Sequence, residues 1–195
     1  MKSRILAAAV CSLALAASPS FASGPTWIGA NLGLNMATGD FGDVASTGFF
    51  GGATGTMMVN EQFGIGGDIN FHSFGVADEF EEDLAAGLGT SVDVSLSAIQ
   101  ITPHGKFFFS TSGDFKPYGK LGIGFYNTKA KIESSAGSSD DSETNLGFNL
   151  GVGGLFKASD KMAYGVELLY HSIMTEDESS NLFTIGGVLQ FGVGD

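Results

Sequence analysis

From Thr26 onward, apolar residues return at every second position for about ten residues at a time, and this period restricts the fold more than any other feature of the chain. Successive side chains of a strand point to opposite faces, whereas a helix repeats every 3.6 residues. Ile28, Ala30, Leu32, Leu34 and Met36 share one parity, with Gly29, Asn31, Gly33 and Asn35 on the other. The same division sets Phe63, Ile65, Ile69 and Phe71 against Asp68, Asn70 and His72, and Ile99, Ile101, Pro103, Phe107 and Phe109 against Gln100, Thr102, His104 and Lys106. It continues with Leu121, Ile123 and Phe125 against Tyr118, Lys120, Gly122, Gly124 and Tyr126, and with Leu146, Phe148, Leu150 and Val152 against Asn149, Gly151 and Gly153. Tyr164, Val166, Leu168 and Tyr170 oppose Gly165, Glu167 and His171, and Phe183, Ile185, Leu189 and Phe191 oppose Thr184, Gly186 and Gln190. An eighth segment, second in order over residues 49–59, is glycine-rich and its parity is ambiguous. No helical period is read beyond the N-terminal region.

The connections alternate as regularly as the side chains. Short turns fall at residues 60–62, 110–114 and 157–161, and long connections at 37–47, 76–93, 129–143 and 174–180. Tight turns at one rim and long loops at the other mark an outer-membrane barrel. Segments of about ten residues also match the roughly 9–11 of a tilted spanning strand. The expected fold is therefore all-β: an eight-stranded antiparallel transmembrane up-and-down β-barrel with short periplasmic turns, long external loops and both termini periplasmic.

A soluble lipocalin-type barrel would show the same alternation with its apolar face inward. Composition decides between them. A watered exterior needs Lys and Glu on the polar parity, yet only 15% of residues are charged, against roughly 25% in soluble domains. That parity instead carries Gly, Asn and Thr, small enough for the crowded interior of an eight-stranded barrel. The net charge of −12 excludes a nucleic-acid partner, whose phosphates need a basic face. Trp27, Phe63, Phe109, Phe156, Tyr164 and Phe191 fall near the periplasmic strand ends, and Phe71, Phe125, Tyr126, Tyr170 and Phe183 near the external ends, where aromatic girdles are expected.

At the N-terminus, Lys2 and Arg4 precede an apolar run over residues 5–17, then Pro19 and the small-x-small triplet Ser20-Phe21-Ala22. The run is shorter than the roughly 20 residues of a spanning helix, so residues 1–22 read as a secretory signal peptide and 23–195 as the barrel domain. Cleavage would remove Cys11, the one cysteine, leaving the barrel without disulfides.

Gly39-Asp40-Phe41 after the first strand, Pro117-Tyr118, the Gly122 and Gly124 pair and the last strand together resemble the small outer-membrane β-barrel domain proteins of Gram-negative bacteria, the OmpA-barrel, OmpX and OmpW-like group, over residues 26–191. The resemblance implies a bare barrel with a structural or cell-surface interaction role, or alternatively an OmpW-like conduit for small hydrophobic molecules. It also implies the barrel-assembly machinery as a partner, recognising Thr184, Gly186, Leu189 and Phe191 as a polar-x-Gly-x-x-hydrophobic-x-aromatic signal.

Seven residues are expected as polar or charged groups of the lumen: Asp68, His72, His104, Lys106, Lys120, Glu167 and His171. The charges are few and of both signs, which suits ion pairs closing the lumen better than an ion-selective ring, and a water-filled pore needs about 16 strands. His72 and His171 are placed on opposite sides of the barrel and His104 near the periplasmic end, so no metal site is expected and no cofactor. In His72-Ser73 and His171-Ser172, adjacent strand residues face opposite ways and cannot act as base and nucleophile, so no enzymatic activity is expected. Most of the 21 acidic residues lie in the four long connections, with Asp78, Glu79, Glu81, Glu82, Asp83 and Asp93 in the second. This charge reads first as a solvated, self-repelling loop surface; read as functional, it points to divalent cations held weakly at the acidic loops in the lipopolysaccharide layer, or to a basic partner, with outer-membrane lipid and lipopolysaccharide as the surroundings. The protein recovered from outer membranes is expected to begin at Ser23, which intact-mass measurement checks; a mass retaining residues 1–22 would refute cleavage.

Overall fold

The computed structural model describes residues 24–88, 92–134, 137–175 and 179–193. The signal segment 1–22 lies outside them. Eight antiparallel strands, β1 (Thr26–Thr38), β2 (Ala45–Met58), β3 (Phe63–Val76), β4 (Val92–Phe108), β5 (Phe115–Ser134), β6 (Gly137–Ser159), β7 (Met162–Met174) and β8 (Ser179–Val193), join in sequence order. β1 pairs with β8 and closes the barrel. Closure gives every strand two neighbours across the membrane, so no edge needs solvation by lipid, which can solvate none.

The two parities take opposite faces. Leu32, Leu121, Ile123, Val166 and Ile69 project outward and are more than half exposed, while Asn35, Gln100, Thr102, Lys106 and Asn149 are buried inside. Bare apolar side chains on a polar interior invert a water-soluble protein and identify lipid as the solvent. β2 follows the same rule once its neighbours fix its register: Phe50 stands opposite His72 and Thr54 opposite Asp68, which puts Phe50, Thr54 and Thr56 inside. A bulge between Ser46 and Phe49 shifts the register at its outer end.

Three expectations need correction at the outer rim and girdles. The third long connection is largely strand: residues 127–134 of β5 pair with 137–144 of β6, from Asn127 against Thr144 to Ser134 against Gly137. Residues 92–99 of β4 pair along the same stretch of β5, so a three-stranded sheet rises about 25 Å along the strand direction beyond Tyr126. β7 meets β6 only from Gly147 inward, leaving residues 137–146 with one edge unpaired among the described residues. Helices are also present, α1 (Asp40–Val44) in the first outer connection and α2 (Asp78–Leu88) in the second. The helical spacing of Phe80, Leu84 and Leu88 was readable within the acidic run. Trp27 and Tyr126, placed above in the girdles, face inward: Tyr126 is 1% exposed, and Trp27 packs on an interior cluster.

The β1–β8 register is testable by cross-linking. Ala30 lies opposite Leu189, and facing Cα atoms across a ladder stand at disulfide distance. Oxidation of the Ala30→Cys/Leu189→Cys protein should give a cross-linked species, and Ala30→Cys/Ile185→Cys should give none; the reverse would refute the register.

Candidate functional site: the closed lumen and its outer rim

The site begins with strand parity and ends in a network crossing the barrel. β4 and β5 place Lys106 directly opposite Lys120, a like-charge pair that is unfavourable unless anions approach both. Two carboxylates supply the compensation. Lys120 Nζ is 2.8 Å from Asp68 Oδ2 of β3 and 3.0 Å from Glu167 Oε2 of β7, and Lys106 Nζ is 3.4 Å from Glu167 Oε1. Tyr118 donates its hydroxyl hydrogen to Glu167 Oε1 at 2.7 Å, and Lys106 Nζ stands 4.9 Å from the centroid of the Tyr118 ring. His104 Nδ1 lies 3.2 Å from Asp68 Oδ2, and its Nε2 is 3.3 Å from Thr56 Oγ1. A donating Nδ1–H to the carboxylate and an Nε2 accepting from the threonine satisfy a neutral ring, leaving two lysines against two acids.

Glycines make room for this arrangement. Glu167 lies opposite Gly153 on one side and Gly186 on the other. A Cβ on Gly153 would sit 2.5 Å from Tyr118 Cζ, in the space its ring needs to reach Glu167. A Cβ on Gly186 would sit 2.7 Å from Phe50 Cζ.

Toward the outside, a second polar layer crosses the lumen. Gln100 Oε1 accepts from Asn70 Nδ2 at 3.1 Å and from His72 Nε2 at 3.0 Å, and Gln100 Nε2 donates to Thr102 Oγ1 at 2.8 Å. Because an amide oxygen only accepts, His72 carries its proton on Nε2. His171 holds Tyr126 OH at 2.9 Å through Nδ1 and Thr184 Oγ1 at 3.0 Å through Nε2. The rings of His72 and His171 stand 5.9 Å apart, edge to face. The two histidines do come from opposite walls, β3 and β7, but the lumen is so narrow that their side chains meet across it. Among the described residues no group of three or more His, Cys, Asp or Glu is placed to hold a metal.

Each end of the lumen is apolar. Phe74, Ala98, Tyr126, Ile173 and Leu182 form the outer cluster, and Phe41 of α1 closes on it with its ring 5.2 Å from that of Phe74. Phe108, Tyr118, Leu155, Ala163 and Val188 form the inner one. Sequence reasoning missed Phe41, Phe50 and Phe74 as plug residues because aromatic residues near strand ends read equally as lipid contacts.

At the outer rim the rising sheet carries charges of both signs. Lys129 Nζ is 3.3 Å from Asp140 Oδ2, and Lys131 Nζ is 2.6 Å from Glu133 Oε1. Hydrogen bonding to Glu133 raises the Lys131 pKa above the ordinary lysine value. These exposed pairs contribute little stability. Of the assembly-signal positions, Thr184 faces the lumen beside His171, while Leu189 and Phe191 face lipid on β8. Gly186 is opposite Gly33 of β1.

A family model described as the outer membrane protein beta-barrel domain matches residues 5–194. Among solved structures, Neisserial surface protein A (NspA) is similar with a TM-score of 0.62 at 16% identity, covering 86% of this chain and 97% of that one. Ail, the attachment invasion locus protein of Yersinia pestis, gives 0.60 at 17% identity over 86% and 99%. The outer membrane protein OprG from Pseudomonas aeruginosa gives 0.53 at 14% over 87% and 97%. Likeness at these identities concerns the fold. Comparison with curated proteins gives no match.

The network predicts non-additive stability. Glu167→Gln or Lys106→Met alone should each cost about 3–5 kcal/mol by leaving a buried charge uncompensated. The double variant should cost clearly less than their sum, since Lys120 and Asp68 remain balanced. Urea unfolding in phospholipid vesicles, followed by the heat-modifiable gel shift, measures this; additive losses would refute the coupling.

Proposed function

The chain belongs to the outer membrane protein β-barrel domain family, and from that premise we propose that it is a closed, non-enzymatic barrel whose function is structural support and interaction at the cell surface. The protein is an integral component of the bacterial outer membrane. The observation carrying the proposal is the filled lumen: two ion-paired lysines, a histidine layer and an apolar cluster at each end occupy the path an ion would take. Breaking this path requires separating Lys120 from two buried carboxylates, which costs several kcal/mol per ion.

The non-enzymatic reading rests on the same geometry. His72 faces the lumen while Ser73 is exposed on the other face, so the adjacent serine is turned away from that base. What remains accessible is the outer rim. Its rising sheet, its two helices and the carboxylates of Asp140, Asp141 and Glu143 present a surface for lipopolysaccharide, with divalent cations bridging those carboxylates to lipid phosphates. Thr184, Gly186, Leu189 and Phe191 serve as the signal to the barrel-assembly machinery.

One observation favours the conduit as a second reading. Pairing between β3 and β4 ends at Phe74 opposite Leu96, while β4 continues along β5 to Val92. A cavity of about 440 Å³ lies at this parting, lined in part by Gly75, Val76, Glu81 and Leu96. An apolar solute could leave sideways there without passing the ion network.

Planar-bilayer recording separates the readings. The closed barrel should show no steady single-channel current, and Lys106→Ala or Glu167→Ala should give no ion-selective opening while the apolar clusters stand. Steady conductance in the unaltered protein would refute the structural reading.

A further inference from the structure

The lumen does not end flush with the short turns. Below the inner cluster lies a cavity of about 590 Å³ opening toward the periplasm between the turns. Its volume falls in the range of small-molecule pockets, roughly 300–1,000 Å³. Trp27, Met58, Phe108, Leu155 and Ala163 give it a largely apolar wall, into which Thr56 and Gln190 also reach. Packing of Phe108, Tyr118, Leu155 and Val188 narrows it on the lumen side, where Thr56 borders both the cavity and His104 of the ion network.

One polar side chain in this wall lacks a partner. Gln190 of β8 is 2% exposed and lines the cavity, and its Nε2 has no hydrogen-bond partner among the described residues. A buried amide left unpaired costs about 1–3 kcal/mol, which a bound acceptor would recover. At the mouth, Lys157 is held by Asp160 at 2.7 Å, whereas Lys116 lines the opening with no ion pair among the described residues. Glu61 also stands at the mouth. The unpaired amide hydrogens of Gln190 call for an acceptor on the ligand, and Lys116 favours an acceptor that carries negative charge.

We propose that this periplasmic cavity binds a small amphipathic anion, an aromatic ring or short alkyl chain carrying a carboxylate-type head. The apolar body lies against Trp27, Phe108 and Leu155, and the head accepts from Gln190 Nε2 and pairs with Lys116. The ligand enters and leaves from the periplasm, so the site works in a barrel that conducts nothing. It is independent of the surface role assigned to the other rim.

The chain has a single tryptophan, and it is in this wall, so tryptophan emission reports on this cavity alone. The barrel is placed in phosphatidylcholine bicelles, which expose both rims, and titrated with 4-bromobenzoate, 4-bromobenzyl alcohol and 4-bromobenzylamine, whose bromine quenches on contact. Bromobenzoate should quench saturably, with half-saturation at roughly tenfold lower concentration than the alcohol and no saturation by the amine. Gln190→Leu and Lys116→Gln should each raise the bromobenzoate half-saturation roughly tenfold, as expected for loss of one hydrogen bond to a charged group, with unaltered heat-modifiable mobility. Linear quenching alike for all three probes, or tighter binding of the amine, would overturn the proposal. The probe comparison uses the unaltered protein, so it decides the matter even where a variant fails to fold. Current through the bilayer would refute the closed-lumen reading without touching this one, and equal quenching would refute this one alone.

Discussion

Lipid cannot hydrogen-bond a peptide group, and that constraint organises the molecule. Each backbone N–H and C=O crossing the bilayer must find its partner in a neighbouring strand, so the sheet closes between β1 and β8. Closure with eight strands then fixes a lumen too narrow for anything but side chains. From this follow the glycines: the Tyr118 ring reaches Glu167 only because Gly153 carries no Cβ there, and Phe50 fits inside because Gly186 carries none.

A narrow lumen also changes the meaning of a charge. On an exposed wall Lys106 and Lys120 would be hydrated independently. Inside, they stand opposite each other on adjacent strands and can be accommodated only by carboxylates reaching in from β3 and β7. The ion pairs therefore tie together strands that share no backbone hydrogen bond. Whether such a network exceeds a purely apolar filling in stability is not implied by its presence, since buried ion pairs often gain little over well-packed hydrocarbon. Its clear consequence is positional: once one member is present, the others are required.

The fold was legible because a period of two survives in nearly every strand and says which face each residue takes. It failed where glycine occupies both parities, as at Gly51, Gly52 and Gly55 of β2, whose orientation comes from the strands on either side. The seven lumen residues could be named from parity, but not which of them touch, because contact across a barrel depends on radius and stagger. His72 and His171 show this: four strands apart in order, they meet at 5.9 Å. Trp27 and Tyr126 were misplaced for another reason. Their parity opposes Ile28 and Phe125 and points inward, and nearness to a strand end does not override it. The outer hairpin was hidden by polarity, since 137–144 has no apolar face and reads as loop until paired with β5.

The two rims divide the work differently because they meet different solvents on different scaffolds. Outward, β4, β5 and β6 continue past the membrane, so surface is gained by lengthening the sheet, and Phe41 on α1 seals the lumen beneath it. Inward, turns as short as the one between Ser159 and Met162 leave no chain to fold over the opening. Side chains from the strand ends alone must fill that mouth, and Trp27, Met58 and Phe108 line it without filling it. The periplasmic cavity is thus a geometric result of short turns on a barrel whose mid-section is already full. Of the described residues bordering it, most, Trp27, Met58 and Leu155 included, make no polar contact with the ion network; Thr56, which holds His104, is where the two meet.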